Sequence, residues 1–134
     1  MLFLNGVICV ETKDKNDRHI AKERAIELLR KGGSLVIYPE GAWNLTANLL
    51  MLPLYAGVLE IAKESGADIV PVALEKYDDT YYANIGENID VSQIDISNKA
   101  EVTNWLRDIF ATLKWGILES VEILNRKDIP QNYN

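Results

Sequence analysis

Apolar positions along this 134-residue chain switch between two periods, and the switches lay out its elements. Gly6 to Glu11 (Gly-Val-Ile-Cys-Val-Glu) is short, β-branched and followed by a polar stretch, Thr12 to Asn16, which predicts a buried strand. From Asp17 to about Lys31 the spacing is helical. Ile20, Ala21, the stem of Arg24, Ala25, Leu28 and Leu29 share one face, and Gly32-Gly33 provides the stop. Ser34 to Tyr38 is a second apolar strand, ended by Pro39. Strand, helix and strand of these lengths suit a right-handed parallel crossover.

An irregular segment, Ala42 to Leu52, leads to Pro53, a residue favoured in the first turn of a helix. Leu54, Val58, Ile61, Ala62 and Ser65 keep helical spacing until Gly66. Asp68 to Leu74 predicts a third buried strand, in which Pro71 is unusual because proline removes a ladder hydrogen bond and belongs at edges or bulges. Weaker strand signals follow at Tyr81 to Ile85 and Ile89 to Val91. A capping box, Asn98 to Glu101, opens the last helix, with Val102, Trp105, Leu106, Ile109, Leu113 and Ile117 on its inner stripe. The tail from Asn125, polar and containing Pro130, is expected to fray. The alternation predicts an α/β fold with a largely parallel sheet and flanking helices, in one domain spanning residues 1–134.

Composition narrows the partners. A hydrophobic fraction of 48% with 25% charged residues is that of a globular domain. The net charge of −6 argues against nucleic acid, which needs clustered Lys and Arg. No apolar run reaches a membrane span, and Met1 to Asn5 lacks the features of a signal peptide. The single cysteine, Cys9, excludes an internal disulfide and is expected to be a buried, inert thiol. These features fit a cytoplasmic protein.

Ligands of open α/β sheets collect at the carboxyl ends of strands, which makes Pro39 to Asn44 the candidate site. Glu40 directly follows a strand, and Gly41 lets backbone approach a ligand. As a tripeptide Pro-Glu-Gly also makes an ordinary turn. His19, the only histidine, sits in a polar stretch with no neighbouring nucleophile and reads as a surface residue. No Cys/His cluster has metal-ligand spacing, so no metal is expected. Glu75, Asp78 and Asp79 read as a solvated turn. Leu49 to Tyr55 reads as core, with an acyl-chain groove or membrane-facing lip as the alternative.

Taken in order, Leu-Leu-Arg-Lys-Gly-Gly-Ser-Leu-Val-Ile-Tyr-Pro-Glu-Gly, an apolar helix, Ile-Val-Pro-Val-Ala and then Ile-Gly-Glu-Asn-Ile-Asp resemble the glycerolipid acyltransferase superfamily, from about Gly6 to about Asp90. The resemblance implies the C-terminal portion of such a domain, with its N-terminal part missing. In the family a Glu-Gly-Thr-Arg loop helps bind the acyl acceptor. Here Glu40-Gly41-Ala42-Trp43 stands in its place, and Asn44 follows. The family's later proline maps onto Pro71, and an earlier Gly-x-x-Phe-Ile-x-Arg motif lines up with Gly6 to Thr12, so Thr12 takes the arginine position and Cys9 the aromatic one. Losing two bidentate phosphate donors is a chemical change. Trp43 and Asn44 would suit a neutral acceptor, such as a sugar or a different lysolipid.

The resemblance also implies a catalytic His-x-x-x-x-Asp pair several dozen residues before Gly6, acting as a general base on the acceptor hydroxyl. His19 does not replace it, because Arg24 stands five positions on. The expected function is transfer of a fatty acyl group from acyl-CoA or acyl-carrier protein to a lysophospholipid or related alcohol in phospholipid biosynthesis, at the inner face of a membrane, with no cofactor. The present chain is expected to be inactive by itself. A degenerate lipid- or acceptor-binding module and an unrelated hydrolase using Glu40 are the other readings. An exposed first and third strand would favour a homo-oligomer.

Overall fold

A computed structural model describes residues 6, 8–46, 49–77 and 79–121. Helix α1 spans Lys15–Arg30 and starts two residues earlier than its apolar spacing implies, because Asp14 caps it by accepting from the N–H groups of Asn16 and Asp17. It stops where predicted. Gly32 adopts φ 82°, Gly33 N–H donates to Leu28 O and Gly32 N–H to Leu29 O, the paired bonds of a Schellman ending. Ala25 and Ile26 are its buried residues, whereas Ile20 and Leu28 of the predicted face are exposed.

Helix α2 spans Gly57–Ser65 rather than starting at Pro53. The segment before it is tied to the Glu40 loop instead: Leu52 N–H donates to the Glu40 carboxylate and Tyr55 N–H to Pro39 O. Strands β1 (Val72–Tyr77) and β2 (Thr80–Ile85) form an antiparallel hairpin in which Val72 faces Ile85 and Tyr77 faces Thr80. The chain continues through a 3₁₀ turn at Val91–Gln93 into α3, Lys99–Ser120, capped by Asn98 as its capping box predicts. Lys63 of α2 donates to Val91 O, Ser92 O and Ile94 O, pinning the 3₁₀ turn to that helix.

Pro71 is buried immediately before β1, and its carbonyl accepts from Gly86 N–H at 2.9 Å. A bridge between Ile69 and Ile89 lies one residue out of register with the Val72–Ile85 pairing. One extra residue is therefore accommodated between Ile85 and Ile89, a bulge opposite the proline that cannot donate. Gly86 is required there, since a Cβ would come within 2.9 Å of the Pro71 ring and 3.1 Å of Leu113.

The α/β character read from the sequence holds, but among the described residues the sheet is the two-stranded antiparallel one. The predicted strand at 34–38 and the described part of that at 6–11 carry no ladder bonds, the one predicted at 68–74 is realised as the antiparallel β1, Val72–Tyr77, and Val7 and the tail from Asn125 lie outside the described residues. Without a strand partner the first segment leaves Cys9 exposed, a correction to the buried thiol expected. Trp105 of the predicted inner stripe is exposed on α3, whereas Leu106 and Ile117 of that stripe are buried, with Thr103 joining them. The core sits between α1, α2 and the 3₁₀ turn and continues under the hairpin against α3, with Leu59, Leu106 and Val91 fully enclosed.

Candidate functional site

The loop after residues 34–38 is held by hydrogen bonds at each end. Tyr38 O accepts from Gly41 N–H to close a turn, with Gly41 at φ 63°. The Tyr55 ring lies so close to Gly41 that a Cβ would sit 2.6 Å from it. Glu40 is half-buried, and its Oε2 accepts from Leu52 N–H at 2.7 Å. Its other oxygen takes no hydrogen bond among the described residues. The acid thus reaches across the loop and ties down the segment before α2, with one oxygen left to accept from a ligand hydroxyl.

Asn44 is turned inward. Its amide donates to Leu49 O at 2.8 Å, while its Oδ1 accepts from the N–H and hydroxyl of Thr46. It shapes the loop, with little left for a ligand. Trp43 is the opposite, 89% exposed. Pro39, half-buried, borders an apolar cleft of about 110 Å³ that also touches Leu35, Ile37, Ile61, Ile69 and Phe110. Small-molecule pockets run to roughly 300–1,000 Å³, so this cleft takes a few methylene groups and not a whole acyl chain.

A second anchor comes from α3. Lys114 donates to Leu50 O at 3.0 Å and pairs with Glu75 of β1 at 2.9 Å, with side chains 13% and 20% exposed. Sequence reading missed both residues, since Glu75 was placed in a solvated turn and Lys114 lies 64 positions from Leu50. Thr12 lies apart from the loop's bonds, in the turn before α1, where its carbonyl accepts from Arg18. Pro71 is at the β1 bulge. His19 is exposed on α1. Among the described residues no cluster of His, Cys, Asp and Glu could hold a metal ion.

A profile of the acyltransferase family matches residues 1–75, which include the Pro39-Glu40-Gly41 loop and Pro71. A 1-acyl-sn-glycerol-3-phosphate acyltransferase of Borreliella burgdorferi is 28% identical over 120 residues, covering 81% of this chain and 47% of that protein. The chain thus spans about half the length of the curated relative it matches. No solved structure matches it. With more than half of its residues inside the family profile, the Pro39-Glu40-Gly41 motif among them, the chain belongs to the glycerolipid acyltransferase superfamily.

Proposed function

We propose that the protein transfers a fatty acyl group from a thioester, acyl-CoA or acyl-carrier protein, to a hydroxyl of a lysophospholipid or related acceptor. Family membership supports the reaction class, and the relative's name supports a glycerolipid acceptor. The observation that carries the site is Glu40: a carboxylate fixed through one oxygen by Leu52 N–H, with the other able to orient an acceptor hydroxyl. Gly41 keeps the loop tight, and Trp43, with no arginine beside it, favours a less phosphate-dependent acceptor.

The base that deprotonates the hydroxyl is supplied by a His-x-x-x-x-Asp pair outside this sequence, so the 134-residue chain binds acceptor without turning it over. The parallel sheet belongs to that complete domain, where the exposed segments 8–10 and 34–38 acquire strand partners. The protein acts peripherally at the inner face of a membrane. Among the described residues no helix is long and apolar enough to cross one.

Acylation assays on a longer form carrying the His-x-x-x-x-Asp motif, across lysophospholipid, lysophosphatidate and sugar acceptors, test this directly. Turnover with at least one acceptor is expected. No turnover with any of them sinks the reading, and turnover by the 134-residue chain itself overturns the assignment of the base.

A further inference from the structure

Four hydrogen bonds hold the segment that faces the Glu40 loop. Leu49 O accepts from Asn44, Leu50 O from Lys114, the Glu40 carboxylate from Leu52 N–H, and Pro39 O from Tyr55 N–H. Three of the four run between loop and segment, so they tie the two to each other and not to the rest of the fold. The bond from Lys114 is different. It comes from α3, 64 positions away, and the same ammonium is held at 2.9 Å by Glu75 of β1. Leu50 O and Leu52 N–H belong to the two peptide groups that flank Met51, whose side chain is buried. A planar peptide leaves only two soft dihedrals per residue. With Met51 packed and both of its peptide groups bonded, the direction of Leu52 N–H is set, and with it the place of the Glu40 carboxylate.

We propose that Lys114 is a positioning residue of the acceptor site. It fixes Leu50 to Leu52, and through Leu52 N–H the Glu40 carboxylate, against the hairpin and α3, with Glu75 aiming its ammonium. A shielded lysine is a costly way to stabilise a fold, since an apolar side chain of similar volume often does as well. What an apolar side chain lacks is a donor for Leu50 O. Lys114 acts on the acceptor only through Glu40. That part rests on the acyl-transfer reading; the mechanical link between Lys114 and Glu40 does not.

Amide hydrogen exchange on the 134-residue chain tests the link. Lys114→Met should speed exchange at Leu52 and Tyr55 at least about tenfold more than at the buried Ala25 and Ile26 of α1. Glu75→Gln, which keeps the lysine but loosens its aim, should act in the same direction more weakly, and carries the comparison if Lys114→Met does not fold. Lys114→Arg, with donors for both partners, should restore protection at Leu52. Uniform speeding at all amides would make Lys114 a general stabiliser and overturn the proposal, as would unchanged exchange at Leu52. In the longer form, Lys114→Met should lower kcat/KM for the acceptor roughly tenfold and leave KM for the acyl thioester within about twofold. Added to Glu40→Gln it should bring no further loss, because both act through one carboxylate. Losses that multiply, or equal effects on donor and acceptor, refute the positioning role while leaving acyl transfer standing. If the longer form acylates nothing, acyl transfer fails, and the exchange pattern still decides whether Lys114 sets Glu40.

Discussion

Two substitutions separate the loop brace that Glu40 provides from the acceptor contact proposed for it. Glu40→Ala leaves Leu52 N–H half-buried without its acceptor, an expected loss of about 1–3 kcal/mol in denaturant unfolding. Glu40→Gln keeps a carbonyl for that N–H but loses the charge. In the longer form it should lower kcat/KM roughly 10–100-fold with little change in stability. Equal kinetic and stability losses for both variants would reduce Glu40 to a loop brace. Gly41→Ala forces a left-handed backbone on alanine and pushes a methyl into the Tyr55 ring, so a cost of about 1–2 kcal/mol or more is expected from unfolding curves. The turn at Pro39-Glu40-Gly41 was legible because its signal is local, Gly41 N–H closing on Tyr38 O within three residues. That Asn44 folds inward was not, because its partner Leu49 O depends on the loop closing first.

Elements were legible where their signals are local. Asn98 with Glu101, and Gly32-Gly33, each mark a helix end with bonds made within a few residues. Pro53 misled because the segment around it docks on the Glu40 loop, through Leu52 N–H and Tyr55 N–H, contacts made 12 or more positions away that local spacing does not show. The bulge at Pro71 needs the register of two segments, information that no single stretch contains. Lys114 is the sharpest case: one ammonium joins β1, α3 and the loop segment at Leu50. Because this pair is largely shielded from water, a double-mutant cycle of Glu75→Gln and Lys114→Met should return a coupling of about 1–3 kcal/mol. Lys114→Met alone should be the more damaging of the two, since it also releases Leu50 O. A coupling near zero would mean that solvent screens the pair.

Across the whole molecule, Glu60 of α2 is held between Lys22 of α1 at 3.1 Å and Lys99 of α3 at 2.5 Å. Its carboxyl lies below the usual glutamate range, chiefly through the Lys99 hydrogen bond, and Lys22 lies above the usual lysine range, chiefly through Glu64. A lowered acid contributes stability that is present above its unfolded value and lost as pH falls through its folded one. A raised lysine contributes below its unfolded value and loses it as pH rises through the folded one. Urea midpoints should therefore fall on acidification below the glutamate range, and Glu60→Gln should remove roughly 1 kcal/mol of that dependence. An unchanged acid limb in that variant would assign the fall to other carboxylates. The same reach across elements bears on where this domain can be divided. The family profile stops at residue 75, inside β1, whereas the tether on Leu50 comes from Lys114. A fragment trimmed to the family profile would lose β2 and the far-side strut of the Glu40 loop, so the boundary of a stable fold lies beyond residue 75.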